Sequence, residues 1–443
     1  MLVHPSLCLL RNPDRLTRHW ENHKKEETMR ARLFLSPKKL LVIVMLLFAV
    51  ALSPQQPLQA ADPVKLGYTI SLTGVYTALG IDMRDGLNLF MEEIGHKAGG
   101  REIKVFVEDI GSNEPNRALD VARKLLEKEH IDILAGVVGT GSAYALAEFV
   151  LKHNIPFVIS NAGADDLTQR KNNPYIVRPA FVNSGGSHPL GEWVYDKGYR
   201  KAVIAGADYG AGYEHVGGIA KTFTNKGGKV IQEIWTPLGT KDYAPYLAKI
   251  DRNADVVLVF FAGADALRFV KQYADYGLKG KIALVGKGYL VDDNILEKQA
   301  DSAEGVVTES HWCLLLDTPE NKKFVDAYKK KFGRSPTLYS EQGYLTGKLI
   351  ADALNKTGGK VDGKQFVEVM RSIELNAPRG LVKFDKYGAP IQNSYIREVK
   401  KVDGSWQNVP IQTYTGVNQF WKWSPDEFMK MPSYSEMKGK WIQ

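Results

Sequence analysis

The sequence predicts an α/β protein with two doubly wound parallel-sheet lobes. From residue 64 onward, short apolar runs alternate with segments of helical periodicity, which is the pattern of βαβ units. After Asn173–Pro174 the same alternation starts again. The last third of the chain has too few elements for a third core. We therefore expect it to complete the two lobes by crossing back between them, which creates a cleft and a hinge.

The first α/β unit has four apolar runs of strand length. The segment after the first run places apolar residues at helical spacing, and these are Met83, Leu87, Phe90, Met91 and Ile94. A second helical face repeats small and apolar residues from Ala118 to Leu125. The predicted strands are Val64–Leu72, Ile103–Val107, Ile131–Val138 and Pro156–Ile159, with a helix over Ser142–His153 before the last.

The second unit repeats this order. Its predicted strands are Ala202–Ala205, Lys229–Ile234, Ala254–Phe261 and Ile282–Val285. The predicted helices between them are Val216–Phe223, Tyr243–Ile250 and Ala266–Tyr276. The run Ala254–Phe261 is apolar on both faces, as expected for a buried parallel strand.

The last third predicts three helices and then paired strands. The helices are Asn321–Phe332, Gln342–Leu354 and Gly363–Ile373, and the strands are Gly380–Lys400 and Ser405–Tyr414. The expected organisation is a signal peptide over residues 1–61, lobe 1 over 62–180, lobe 2 over 181–312, a return to lobe 1 over 313–379, and a return to lobe 2 with a C-terminal tail over 380–443.

The net charge of +8 is concentrated at the N-terminus. Residues 1–60 hold nine Lys and Arg against four Asp and Glu. The rest of the chain is close to neutral, which is too little positive charge for a surface that follows nucleic-acid phosphates. We therefore expect no nucleic-acid partner.

The N-terminal segment has the layout of a secretory signal peptide. The apolar run Leu40–Leu52 follows Lys38–Lys39 and precedes polar sequence ending at Ala60–Ala61, where we expect cleavage. Thirteen apolar residues are fewer than the roughly 20 of a membrane-spanning helix, so a permanent anchor is the weaker alternative. Met29 begins a more typical basic region, and we expect translation to start there. The expected location is the periplasm.

Motifs for catalysis, cofactors and metals are absent from the sequence. Cys8 lies in the leader and leaves Cys313 alone, so no internal disulfide or thiolate metal site is expected. The stretch Gly139–Tyr144 begins like a dinucleotide-binding loop but lacks the third glycine. The histidines after the leader are isolated in sequence. We expect a protein without cofactor or metal that is not an enzyme.

Polar and small residues instead collect in the loops after the predicted strands, where doubly wound sheets bind ligands. In the first lobe these candidates are Tyr76, Thr140, Gly141, Ser142, Asn161, Ala162, Gly163 and Asp165. In the second lobe they are Tyr209, Phe261, Ala262, Lys287, Gly288 and Tyr289. Any one such loop also fits an ordinary turn or helix cap. Six of them on two lobes predict a binding cleft.

Several ordered segments give a family resemblance. The segments VKLGYTISLTGVYTALG, ILAGVVGTGSAYAL, IPFVISNAGADDLT, YIVRPAF, KAVIAGADYGAGYEH and GLKGKIALVGKGYLVDDNIL resemble the periplasmic substrate-binding proteins of branched-chain (hydrophobic) amino acid ABC transporters. The likeness covers nearly all of residues 64–415. It implies a type I periplasmic binding fold with a three-segment hinge, expected near Ala180–Ser184, Ser310–Leu314 and Asn376–Gly380. It also implies capture of a solute and its delivery to a membrane permease.

The resemblance also suggests roles for some residues. It implies that Thr140–Ser142 and the backbone at Ala162 and Gly163 bind the ligand's carboxylate, and that Tyr209 is the second-lobe aromatic. Leucine-binding members hold the ligand's ammonium with an acidic residue, and Gly288 stands at the matching position beside Lys287. This departure favours a ligand with a negative end and no ammonium, because a buried unpaired ammonium is costly.

Two ligand classes and two kinds of function remain open at this point. Aromatic carboxylates fit the aromatic candidates, whereas amino acids fit if Asp165 reaches the ammonium. A sensory module for a chemoreceptor or kinase would use the same fold as a transport protein. For transport, the expected partners are a small carboxylate and the permease subunits of an ABC transporter at the inner membrane, and the expected state is a monomer. The aromatic tail Gln419–Tyr434 is expected to pack against the outside of a lobe.

Overall fold

The first of two β-sheets is formed by residues 64–177 of the computed structural model, which describes residues 61–442 together with Lys38 and Met45. Its strand order is β2-β3-β1-β4-β5-β6, parallel except for the β2–β3 hairpin. The strands are β1 (Val64–Ile70), β2 (Lys97–Ala98), β3 (Arg101–Asp109), β4 (Ile133–Gly136), β5 (Phe157–Ile159) and β6 (Ile176–Val177). The four predicted strands are confirmed, and β2 and β6 are additional.

The second sheet has nine strands. The order is β12-β13-β14-β11-β10-β9-β7-β8, and β15 pairs with β14. Strands β7 to β11 are parallel, whereas β12 to β15 join them antiparallel. They are β7 (Lys201–Ala207), β8 (Lys229–Thr236), β9 (Val256–Phe260), β10 (Ala283–Lys287), β11 (Val307–Ser310), β12 (Leu375–Ala377), β13 (Gly380–Phe384), β14 (Pro390–Val402) and β15 (Ser405–Val417). The short strand β11, which carries polar residues, was not predicted.

Helices cover both sheets, as the doubly wound prediction requires. They are α1 (Thr77–Glu93), α2 (Pro115–Lys124), α3 (Thr140–His153), α4 (Ser187–Asp196), α5 (Gly210–Asn225), α6 (Ala244–Leu247), α7 (Gly263–Asp275), α8 (Asp293–Gln299), α9 (Pro319–Phe332), α10 (Leu338–Thr357), α11 (Gly363–Arg371) and α12 (Pro425–Lys430). The helix predicted over Tyr243–Ile250 is reduced to the single turn α6. Within the residues that the structure describes, no helix is long and apolar enough to cross a membrane.

The helix α10 packs directly against α1, although more than 240 residues separate them in sequence. A Cβ atom on Gly86 of α1 would lie 1.8 Å from the carbonyl oxygen of Ser340. One on Gly343 of α10 would lie 2.0 Å from that of Met83. Only glycine permits this backbone approach. The chain at α10 therefore packs against a helix that follows the first strand of the first sheet, whereas β12, further along, joins the second sheet.

The lobe boundaries stay a prediction. By its internal contacts the chain from Ala61 to Gln443 forms one compact unit. The expected signal peptide, including the apolar run and the start at Met29, lies outside the described residues apart from Lys38 and Met45.

The side chain of Arg379 joins distant segments between the two sheets. Its Nη1 donates to the carbonyl of Ala180 at 2.7 Å and to Gln392 Oε1 at 3.0 Å. Its Nε donates to Glu341 Oε1 at 2.8 Å, and its Nη2 pairs with Glu341 Oε2. Both side chains of this ion pair are fully buried. The pair therefore ties α10 to the segments at residues 180, 379 and 392.

We predict that Glu341→Ala destabilises the fold by about 3–5 kcal/mol, because it leaves the buried Arg379 guanidinium without its counter-charge. Glu374→Ala is the matched control, since Glu374 pairs with Lys383 at 2.7 Å on the surface and should contribute about 1 kcal/mol or less. Urea unfolding measures both values. Equal losses in the two variants would contradict the role given to this buried pair.

Candidate functional site

A small cavity lies where the carboxyl ends of strands from both sheets meet. The loops after β1, β4 and β5 contribute from the first sheet, and those after β7, β9 and β10 from the second. Its volume is about 20 Å³, room for about one water molecule. The residues that line this cavity, which we call the ligand cavity, are Tyr76, Leu79, Val138, Thr140, Asn161, Gly163, Phe181, Asn183, Tyr209, Ala211, His215, Phe260, Ala262, Tyr289 and Tyr339.

Aromatic rings form most of the wall. The imidazole of His215 stacks on Phe260 with centroids 4.2 Å apart. Tyr289 lies edge-on to Phe260 at 5.8 Å and packs against Tyr339 at 5.9 Å. Such rings provide a flat apolar surface whose hydroxyl and imidazole groups can still form hydrogen bonds.

Tyr76 and Tyr209 connect the two sides of the cavity. Tyr76 follows β1 and Tyr209 follows β7, and their hydroxyl oxygens are 2.7 Å apart. Burial, with the neighbouring tyrosine, raises the pKa of Tyr76 well above its usual value. Burial also raises the pKa of Tyr209. Both hydroxyls therefore stay neutral at physiological pH, and because one donates to the other, one O–H hydrogen is left for a further acceptor.

The ligand cavity carries no formal charge. Among the described residues that line it, none is Asp, Glu, Lys or Arg. Among the side chains that line the cavity, His215 is of the type whose ordinary pKa lies nearest to physiological pH. Burial lowers the pKa of His215 well below that usual value. The imidazole is therefore neutral, and any charge in this cavity must come with the ligand.

The N-terminus of α3 points its first residue at the ligand cavity. The side-chain oxygen of Asn113 accepts from the N–H groups of Gly141 at 2.9 Å and Ser142 at 3.3 Å. Within the described residues, the Thr140 hydroxyl forms no hydrogen bond to other protein groups, and Thr140 lines the cavity. The positive end of the helix dipole and this hydroxyl together favour an anionic group.

Backbone geometry near Thr140 is strained. Val137, between β4 and α3, has φ of 66°, in the left-handed region that a β-branched residue rarely adopts. Such conformations persist where the surrounding structure enforces them, commonly at functional sites. Here the turn directs Val138 and Thr140 into the ligand cavity.

Half of the candidates predicted from the sequence line the ligand cavity. These are Tyr76, Thr140, Asn161, Gly163, Tyr209, Ala262 and Tyr289. The others, Gly141, Ser142, Ala162, Asp165, Phe261, Lys287 and Gly288, do not line it. A role in ligand binding stays a prediction for both groups.

Phe261 does not line the ligand cavity because successive side chains along a strand point to opposite faces of the sheet. Its ring lies on the opposite side of β9 and stacks on Phe269 at 4.3 Å, within the core of the second sheet. The preceding residue, Phe260, faces the ligand cavity instead.

Lys287 is bound to another side chain. Its ammonium pairs with the carboxylate of Glu309 on β11, and Glu309 Oε1 also accepts from Ser394 Oγ at 2.7 Å. Burial, aided by the charge of Arg397, lowers the pKa of Lys287 to about 7, and the charge of Asp165 opposes this shift. Gly288 faces Arg397 and Ser310 rather than the cavity. Lys287 therefore lies outside the cavity lining, and its expected role in ligand binding stays a prediction.

Asp165 already forms hydrogen bonds to the backbone of Ser184 and to the side chain of another acid, Glu214. Its Oδ1 accepts from the Ser184 N–H at 3.0 Å, and its own N–H donates to Glu214 Oε2 at 3.2 Å. Asn183 donates to the same Glu214 oxygen at 2.6 Å. Burial raises the pKa of Asp165 to about 6. Burial and the Asp165 charge raise the pKa of Glu214 well above its usual value.

Eight lining residues were missed by the sequence analysis. They are Leu79, Val138, Phe181, Asn183, Ala211, His215, Phe260 and Tyr339. Phe181 and Asn183 lie in the first predicted crossover, and Tyr339 lies on the returning helix α10. For Phe181 and Asn183, their position in an expected crossover was the feature of the sequence that could have indicated a place in the cavity wall. No local pattern marked Tyr339.

The chain belongs to the periplasmic binding protein family, whose model matches residues 63–405. It is 33% identical to Leu/Ile/Val-binding protein homolog 6 of Brucella melitensis, over 85% of this chain and 97% of that protein. These findings confirm the resemblance to the leucine-binding type I proteins and the predicted fold class.

Two solved structures of ABC transporter solute-binding proteins are also similar. One, from Rhodopseudomonas palustris HaA2 in complex with p-hydroxybenzoic acid, is 31% identical with a TM-score of 0.77, covering 81% of this chain and 99% of that one. The other, from R. palustris in complex with benzoate, is 31% identical with a TM-score of 0.76, covering 80% and 97%. The relatives of this chain are thus solute-binding proteins of ABC transporters.

We predict that stability falls with rising pH in a way that depends on Glu214. An acid whose pKa is raised by folding binds its proton more tightly when folded, so stability falls as pH rises from the ordinary value of 4.5 toward the raised value. Glu214→Gln removes this titration. Thermal unfolding between pH 4.5 and 8 should show the variant gaining on the wild type as pH rises. Parallel curves for the two proteins would contradict the prediction.

Proposed function

We propose that this protein is the periplasmic receptor of an ABC importer for small aromatic carboxylates of the benzoate class. It captures the acid in the ligand cavity and delivers it to the membrane permease. The observation that carries this proposal is the cavity wall, which is aromatic and has no charged side chain among the described residues.

A carboxylate suits the first-sheet side of the cavity. The Thr140 hydroxyl and the N-terminus of α3 lie there, and an anion gains from both. The hydroxyls of Tyr76 and Tyr209 share one hydrogen bond, which leaves one O–H as a further neutral donor. Neutral donors bind a carboxylate without requiring a buried counter-cation.

An amino acid suits the cavity poorly. Its ammonium would be buried without a carboxylate partner, which costs several kcal/mol. Asp165 already accepts from Ser184 and lies outside the lining. The name of the Brucella melitensis relative keeps amino acids as the second candidate, whereas relatives of similar identity are complexes with benzoate and p-hydroxybenzoic acid.

Ligand entry requires the two sides of the cavity to separate. A volume of about 20 Å³ is smaller than any aromatic acid, and the Tyr76–Tyr209 bond spans the cavity. We infer that the two lobes open about the hinge to admit the ligand and close over it. The closed form is then the state recognised by the permease, and the receptor acts as a monomer in the periplasm.

The proposal predicts that protein lacking residues 1–61 binds benzoate and 4-hydroxybenzoate with a dissociation constant in the micromolar range or tighter. L-leucine and L-phenylalanine should bind at least about 100-fold more weakly, because of the unpaired ammonium. Isothermal titration calorimetry measures all four. Tight binding of L-leucine without binding of benzoate would overturn the aromatic-acid proposal and favour the second candidate.

Thr140→Val is predicted to weaken benzoate binding about tenfold, since it removes one hydrogen bond to a charged group at nearly constant volume. Thr413→Val on the exposed face of β15 is the matched control and should leave affinity unchanged. The same titration compares the two variants. Unchanged affinity in Thr140→Val would remove Thr140 from the carboxylate site.

A further inference from the structure

A second cavity shares Phe181 with the ligand cavity and is lined by residues of two predicted hinge segments, near residues 180–184 and 310–314. We call it the hinge cavity, and its volume is also about 20 Å³. Its lining is mostly polar and includes the Lys287–Glu309 ion pair, His311, Asn393 and Ser394. Phe181 is the residue that lines both cavities among the described residues.

The ring of Phe181 forms the partition. It stacks on His311 of the hinge cavity with centroids 5.3 Å apart and an interplanar angle of 16°. It also stacks on His215 of the ligand cavity, with centroids 5.9 Å apart and an interplanar angle of 26°. The ring therefore fills the space between the two cavities.

The Phe181 ring is held in place by packing against Gly163. A Cβ atom on Gly163 would lie 2.4 Å from Phe181 Cε2, so the ring packs against the bare backbone of this glycine. The side chain has no room to move toward Gly163 and is 7% exposed.

His311, which stacks on the Phe181 ring, is held in place by hydrogen bonds that do not involve Phe181. His311 Nε2 lies 3.0 Å from Gln342 Nε2, and Gln342 Oε1 accepts from Asn161 Nδ2 at 2.6 Å. This chain of hydrogen bonds fixes His311 from α10 and from the first sheet. Removal of the Phe181 ring should therefore leave an open passage rather than a collapsed one.

We propose that Phe181 sets the maximum length of the ligand, so that benzoate-sized acids fit and arylpropenoic acids such as 4-coumarate are excluded. This inference rests on the proposed function. An arylpropenoic acid is longer than a benzoic acid by two carbon atoms. The Phe181 ring has six carbon atoms, so its removal frees more space than the added length requires. Without the ring, the added length enters the hinge cavity, where polar groups meet the far end of the ligand.

The test is calorimetric titration of benzoate and 4-coumarate with wild type and two variants. Wild type should bind benzoate at least about 100-fold more tightly than 4-coumarate. Phe181→Ala should gain at least about tenfold for 4-coumarate and lose affinity for benzoate. Phe260→Ala is the matched control, because it removes the same ring from the ligand cavity alone. It should weaken benzoate without any gain for 4-coumarate.

The outcomes separate the two proposals. Comparable binding of both acids by the wild type, or no gain in a folded Phe181→Ala, overturns the role of Phe181 and leaves the aromatic-acid proposal standing. If Phe181→Ala does not fold, two measurements replace it. The wild type should prefer benzoate, and the smaller truncation Phe181→Leu should gain affinity for 4-coumarate. If the wild type binds neither acid, the proposed function fails and this inference falls with it.

Discussion

The buried guanidinium of Arg379 fixes how the two sheets meet. It is bonded to Glu341 on α10, to the carbonyl of Ala180 and to Gln392 on β14, three segments far apart in the sequence. Because a buried charge is stable only when it is paired and fully hydrogen-bonded, these segments are held at fixed positions. The carboxyl ends of strands from both sheets then face each other, and the ligand cavity lies between them.

The same physics explains the character of the cavity. Two charged side chains that we expected to bind the ligand have partners outside the cavity: Lys287 pairs with Glu309, and Asp165 accepts from the N–H of Ser184. The cavity wall is left to rings, hydroxyls and an imidazole that burial keeps neutral. A neutral wall next to a helix N-terminus favours an anion with an apolar body and disfavours a zwitterion, since a buried ammonium requires a counter-charge.

Local patterns predicted the fold better than the site. Alternating apolar runs are strong signals, and they located four of the six first-sheet strands, β1, β3, β4 and β5, together with β7 to β10. Strand β11 is four residues long with polar side chains, so it was missed, and with it Glu309, the partner of Lys287. The run ending in Phe260 and Phe261 is apolar on both faces, so alternation could not tell which ring faces the cavity. Tyr339 reaches the cavity only through the return of α10, a long-range contact without a local signature.

The central claim is that this cavity accepts a carboxylate and rejects an ammonium. The most direct measurement is a calorimetric comparison of cyclohexanecarboxylate with 1-aminocyclohexane-1-carboxylic acid, which share the ring and the carboxylate and differ by the ammonium. The account predicts that the first binds and that the second binds at least about 100-fold more weakly. Equal or tighter binding of the amino acid would contradict it and would mean that an acidic group reaches the ligand in the complex.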